Sequence, residues 1–308
     1  MTNSPLNDSG TDSGLAYIFA VLALLASATL WGTIWYPLRL LQEQGLVGLW
    51  CALLMYGTAL VVSIPWWLRH RAAVFQRPLV LAWLGLASGW ANIAFILAVI
   101  DGEVVRVTLL FFLYPIWATL IGRFLLREQM SGRAWFGFSI AIAGALIMMW
   151  NPDLGNPLPS DNNDWLALSA GVAFAVSAAI VRSLDEVGVI PKTIVVWAGV
   201  VVVAAIWLLI DAVEFPALEG KIYIAAILLG LFATVAMTFL VQYGFHHVPV
   251  SRSSVILLFE LVAGALSAYW LANEIPVTNE WLGGVVIVLG AWLVLTVSDI
   301  DSGDKETI

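Results

Sequence analysis

Charge is what this sequence has least of. Only 11% of its 308 residues are Asp, Glu, Lys or Arg, against about 25% in a soluble globular chain. So few ionic groups cannot clothe an ordinary water-facing surface, which excludes a soluble fold. Cysteine is scarcer still. Cys51 stands alone, so no intrachain disulfide can form and the redox compartment stays unread. Of three histidines, the pair His246–His247 has no other metal-type ligand nearby, and a solvated loop is its expected place. No phosphate-cradling glycine-rich loop ending in Lys-Ser or Lys-Thr occurs, so this chain hydrolyses no nucleotide by that route. A net charge of −8 is the opposite of the basic footprint that nucleic acid selects. Much of it sits in tails and loops, such as Asp299, Asp301, Asp304 and Glu306, where solvation explains it. Nothing here calls for a cofactor or a metal.

What is abundant is apolar: 61% of residues, with 16 tryptophans. The few charges cluster, leaving apolar runs of at least ~18 residues, the length that crosses a bilayer as a helix. Ten such runs are expected to span: Leu15–Leu41, Leu46–Leu68, Leu79–Ile100, Val104–Leu126, Ala134–Trp150, Trp165–Val181, Thr193–Ile210, Ile222–Phe245, Ser253–Ala272 and Trp281–Val297. None shows the strict alternation of a membrane barrel strand. Ala26-Ser27-Ala28 resembles a signal-cleavage site, but no Lys or Arg precedes it, and a signal needs a basic start. The first span is therefore expected to be retained.

Lys and Arg set orientation. With the N-terminus inside, the inner side carries Arg69, Arg71, Arg77, Arg123, Arg127, Arg133, Arg182, Lys192, Arg252 and Lys305, and the outer side only Arg39, Arg106 and Lys221. Both termini are expected in the cytoplasm, across a bacterial inner membrane.

The chain also repeats itself. A shift of 146 residues lays Arg106 on Arg252, Glu128 on Glu274, Trp135 on Trp281, Gly137 on Gly283 and Gly144 on Gly290. A shift of 143 lays Arg39 on Arg182, Glu43 on Glu186 and Gly45 on Gly188. Five helices per repeat, an odd number, force the second repeat to enter the membrane upside down. Inverted repeats characterise transporters that hold substrate near the midplane. The expected fold is thus an all-α membrane protein of ten transmembrane helices in two inverted five-helix repeats. Its parts are an acidic tail 1–14, repeats 15–150 and 165–297, a turn-rich linker 151–164 and a tail 298–308.

At Leu30-Trp31-Gly32-Thr33, at Tyr114-Pro115-Ile116-Trp117, at Glu128 and Glu274, and at glycines matched between the fifth and tenth helices, the chain resembles the drug/metabolite transporter superfamily, in its ten-helix EamA branch. Trp31, Thr33, Arg39, Glu43, Tyr114 and Pro115 look most like the bacterial aromatic amino acid exporters. The resemblance implies an exporter of small metabolites working by alternating access, with a central cavity walled by the first, third, fourth, sixth, eighth and ninth helices. Leu261 stands where the family often has proline, which removes the residue that would kink the ninth helix.

Candidate site residues follow from depth and chemistry. Trp31, Trp35, Trp90, Tyr114, Trp117 and Tyr243 lie well inside their spans, where an aromatic ring offers a flat apolar face with a polar tip; core packing or lipid contact is the alternative. Asn92, Gln242, Ser253 and Ser254 are polar positions suited to amino or carboxylate groups, or to bonds between helices. Pro115 frees the carbonyl one turn earlier and predicts a kink along the substrate path. Glu260 is the one carboxylate clearly mid-span, where an ionised group costs roughly 2.5–3.5 kcal/mol on insertion scales; it must face a cavity or a partner. The paired glycines suit close helix packing within the chain, with a homodimer face as the less favoured use. An intramembrane enzyme would need convergent nucleophiles, acids or metal ligands at one depth, and the spans hold none. A multidrug exporter uses the same fold.

Overall fold

Lipid offers a backbone no hydrogen-bond partner, whereas a helix satisfies its own N–H and C=O groups. The apolar runs obey that constraint. The computed structural model describes residues 9–46, 48–102, 104–150, 159–273 and 275–296, and among these every regular element is helical. Residues 1–8 and 297–308 of the tails, linker residues 151–158, Val47, Glu103 and Glu274 lie outside the described residues, while tail residues 9–14 belong to the first helix. In chain order the helices are α1 (Ser9–Glu43), α2 (Gly48–Val62), α3 (Ile64–Val74), α4 (Pro78–Asp101), α5 (Val104–Phe111), α6 (Tyr114–Phe124), α7 (Gly132–Met148), α8 (Asn162–Ser183), α9 (Val189–Ile210), α10 (Gly220–Leu229), α11 (Val235–His247), α12 (Val250–Leu257), α13 (Phe259–Ala272) and α14 (Thr278–Thr296). A π turn, Gly230–Thr234, makes α10 and α11 one rod.

Eight helical runs are long and apolar enough to cross a membrane. The other two expected spans are shorter. α2 has 15 residues and bends by 71° into α3; α7 has 17. At 1.5 Å per residue these rise only ~23 and ~26 Å, against a hydrocarbon core of ~30 Å. The bend falls at Ser63, whose hydroxyl donates to the Leu60 carbonyl at 2.7 Å. Pro65 follows in the first turn of α3, where its missing N–H is tolerated. Trp66 and Trp67 on α3 are exposed, beside Arg69 and Arg71, the composition of a headgroup-level segment. The membrane face where α1 starts is called the near face below, and the opposite one the far face.

Packing carries the signature of the inverted repeat. The first helix of each repeat, α1 or α8, packs against the third and fourth spans of the other repeat: α1 on α11, α12 and α13, and α8 on α4, α5 and α6. Second helices pair as α2 with α9, and fifth helices as α7 with α14. The repeat-matched arginines do matching work. Arg106 holds Asp164 at 2.7 Å and donates to Ser160 at 3.0 Å at the start of α8, while Arg252 donates to Tyr17 at 3.5 Å near the start of α1. The glycines of α7 and α14 face one another: a Cβ on Gly144 would stand 2.6 Å from the Ile287 nitrogen, and one on Gly290 2.4 Å from the Ala141 nitrogen. Both glycine pairs are consumed inside the chain.

The fourth and ninth spans are each broken, at positions matched by the 146-residue shift: Phe112–Leu113 between α5 and α6, and Leu258 between α12 and α13. Pro115 accounts for the first break. The second forms with Leu261 in place of proline, so the missing proline, which put a kink here in doubt, does not prevent an interruption at Leu258, while Val250–Ala272 still runs as one span. Here Leu258 N–H donates to the Val255 carbonyl at 3.1 Å, and Leu261 N–H to Leu258 at 3.1 Å, a tight turn that a side chain need not enforce. His246 and His247 form the last turn of α11 rather than a solvated loop.

Candidate functional site

The two breaks meet at the centre of the molecule. Each frees a carbonyl that must find a partner. The tight turn at Leu258 takes the expected donor from the Ser254 carbonyl, and Tyr114 O–H donates to that oxygen from α6 at 3.1 Å. Pro115 likewise frees the Phe111 carbonyl, which lies so close to Gly171 of α8 that a Cβ there would come within 2.7 Å. Around Tyr114 the rings of Phe111, Phe112 and Phe174 gather, with Phe174 edge-on at 4.9 Å. Phe174 is the mate of Trp31 by the 143-residue shift, and sequence reasoning missed it because an aromatic in so apolar a chain carries no signal by itself.

Towards the near face the fourth and ninth spans stay together. α6 packs on α12, and the Glu128 carboxylate accepts from the Val250 and Ser251 N–H groups at 3.0 and 3.4 Å, capping α12. Arg182 of α8 stands 3.9 Å from Glu128. Towards the far face the same spans part: α5 packs on α8 and α4, whereas α13 packs on α1 and α14.

Glu260 lies in the first turn of α13, where this parting begins. It shares a helix face with Ala263, Gly264 and Ser267, and Gly32 of α1 packs against its backbone and Ala263. Val262, Ala265 and Leu266 lie about 140–240° round the helix from it and line a lateral apolar groove of about 240 Å³ against α14. The half-buried carboxylate therefore faces the bundle interior. It makes no hydrogen bond or ion pair among the described residues, and Tyr114 lies within its electrostatic range.

The remaining sequence-derived candidates separate into three kinds. Trp31, beside Gly32 and so at the depth of Glu260, is half-buried between two apolar clusters that include Tyr56, Trp197, Ile34 and Met55; its indole N–H makes no hydrogen bond among the described residues. Trp35, Trp90 and Asn92 already spend their polar ends on protein: Trp35 donates to Ser267 at 2.8 Å, Trp90 to Ser169 at 3.1 Å, and Asn92 accepts from Tyr56 at 2.7 Å and donates to Ser88 at 2.9 Å. Tyr114 and Pro115 are buried, as are Ser253 and Ser254, whose hydroxyls donate one turn back. Trp117 and Gln242 each leave a buried polar atom without a partner among the described residues. Tyr243 sits one turn from the near end of α11 with its ring 4.2 Å from His247, shallower than expected. None of these lines the lateral groove.

The EamA-like transporter family matches residues 18–150 and again residues 163–296. An uncharacterized transporter of Pseudomonas aeruginosa is 27% identical over 198 residues, an alignment spanning 61% of this chain and 62% of the relative. A solved crystal structure superposes with a TM-score of 0.70 at 19% identity, over 89% of this chain and 96% of that one. At that identity the likeness is one of fold.

Proposed function

The chain belongs to the EamA-like transporter family, and we propose that it exports small metabolites, of the large neutral and aromatic amino acid class, by alternating access across a bacterial inner membrane. The observation that carries this reading is the asymmetry of the broken spans, packed at the near face and parted towards the far face. Two inverted repeats, 15–150 and 165–297 with the linker 151–164 between them, have a second arrangement of equal kind in which the roles of the faces exchange. The Lys and Arg bias assigns the near face to the cytoplasm, with both termini there. The conformation is then closed inward and open outward.

The site chemistry supports an amino-bearing substrate with an apolar body. Glu260 supplies an unpartnered carboxylate for an ammonium group, a charge-assisted bond shorter and stronger than a neutral one. Trp31 at the same depth supplies a stacking face. Tyr114 and Pro115 form the floor, and Trp35, Trp90, Asn92 and Trp117 hold the walls through the bonds and packing described above. The match to a transporter family supports a chain that acts on its substrate by moving it.

Counterflow decides between substrate classes. Liposomes containing the purified protein and loaded with unlabelled tryptophan should accumulate labelled tryptophan from outside, and Trp31→Ala should abolish most of that exchange. Exchange of cationic dyes with no exchange of any amino acid would replace this reading with that of a multidrug exporter.

A further inference from the structure

We propose that a polar row winding along α11 holds a file of ordered waters that carries protons between the middle of the bilayer and the near face. Thr234, Thr238, Gln242 and His246 follow at four-residue intervals along the π turn and α11, about 6 Å apart along the axis. The first three are 0%, 3% and 4% exposed, and among the described residues Thr234 Oγ1, Thr238 Oγ1 and Gln242 Oε1 have no hydrogen-bond partner. The chain treats its other membrane hydroxyls differently. Thr29, Thr58 and Thr193 each donate to the carbonyl four residues back, and Ser177, Ser253 and Ser254 to the one three back. Ser88 and Thr119 are also unpartnered among the described residues; Ser88 stands singly on α4, and Thr119 is joined on α6 only by the Trp117 indole two residues away, which is no i, i+4 row.

A buried polar group left unpaired costs about 1–3 kcal/mol, and three in register compound that cost. One water bonded to two successive members at ~2.8 Å each spans ~5.6 Å, close to the spacing of the row. Lipid cannot supply such bonds. A four-residue step turns about 40° round a helix, so the row winds from buried Thr234, Thr238 and Gln242 towards the face of exposed Phe232 and Phe239 and meets it at half-buried His246. The row lies where α11 packs on α1, α8 and α9. The π turn ending at Thr234 adds a second element: it takes backbone groups out of the regular helical ladder, as such turns do at functional sites. The Val235 N–H reaches back to the Gly230 carbonyl.

His246 closes the row at the near face. Lys192 of α9, fully buried, places Nζ 2.8 Å from the Val181 carbonyl, 2.8 Å from the Leu184 carbonyl and 2.7 Å from His246 Nδ1. Three acceptors use all three hydrogens of an ammonium, so His246 accepts at Nδ1 and keeps its proton on Nε2. On this proposal that N–H is the donor that the water file meets at its near end. The charged and titratable groups facing this ring are Lys192 from α9, Arg182 and Asp185 from the end of α8, and His247 on α11. Arg182 donates to the His246 carbonyl at 2.9 Å.

The test needs no knowledge of the transported substrate. Full-length protein in liposomes loaded with pyranine is given a potassium diffusion potential, negative inside, and proton uptake is followed by the dye. Wild type should acidify the lumen well above protein-free vesicles. Thr238→Val, which keeps the shape and removes the hydroxyl, should slow uptake by about fivefold or more, and Thr238→Ser should restore it. Gln242→Leu is the second variant, and gel filtration verifies that each is folded. Proton uptake no faster than in empty vesicles, or Thr238→Val and Gln242→Leu conducting at the wild-type rate, would overturn the proposal. Substrate counterflow is measured separately, so the fate of the proton path does not depend on that of the export reading.

Discussion

Glu260 is a mid-span carboxylate that makes no hydrogen bond or ion pair among the described residues. A carboxylate aimed into the bundle with no partner gains most when a cation arrives, and a hydrogen bond to a charged group contributes about 1.5–3 kcal/mol. Glu260→Gln keeps size and hydrogen bonding but removes the charge. It is expected to weaken binding of an amino acid substrate by roughly ten- to a hundredfold, read as a rise in half-saturation of counterflow. Wild-type half-saturation in the variant would mean that the side chain serves packing alone. At this scale the sequence was legible where a residue contradicted its surroundings. A carboxylate inside an apolar run announces itself, and so does Pro115. Trp35, Trp90 and Asn92 were singled out by depth, yet their polar ends are engaged across helices with Ser267, Ser169 and Tyr56. Those serines and that tyrosine are ordinary residues in sequence, and only folding brings them opposite.

At the scale of elements, hydropathy located the helices but not their breaks. The fourth span was readable because proline lacks an N–H. The ninth breaks at Leu258 through backbone turn geometry, and the Tyr114 hydroxyl that satisfies the freed carbonyl comes from 140 residues away. No local pattern records such a contact. The pairing of α7 with α14 was more legible, because glycines seven residues apart share a helix face and recur at the matched place. Their backbones approach until no side chain fits. Gly144→Leu should force α7 off α14, with an overpacking cost of about 1–3 kcal/mol or more. In a domain-sized chain that lowers the unfolding midpoint by several degrees, roughly 2–4 °C per kcal/mol. Thermal unfolding in detergent checks it, and an unchanged midpoint would mean that this contact contributes nothing to stability.

For the whole molecule, what matters is that the two repeat-matched broken spans are packed unequally at the two faces. At the near face Glu128, just beyond the end of α6, caps α12; the far halves α5 and α13 rest on different neighbours. Losing an N-terminal cap costs a helix about 0.5–2 kcal/mol. On the alternating-access reading that energy belongs to the near-closed state alone, because α6 and α12 would separate when the near face opens. Glu128→Ala should therefore shift the population towards the near-open state by roughly two- to thirtyfold. The measurement uses Cys51→Ala protein with a single cysteine in place of Ala118, which is buried on α6, and an impermeant thiol reagent. Cysteines replacing Gln76 at the near face and Asp161 at the far face fix orientation in the same preparation. The first should react only in inside-out vesicles and the second only in intact cells, and the reverse pattern would invert the assignment of near face to cytoplasm. With orientation fixed, the Ala118→Cys site should label faster from the near face once Glu128 is alanine. Labelling at the same rate with and without the Glu128 carboxylate would show that the cap is no gate, and that the near ends of α6 and α12 are held by their apolar packing.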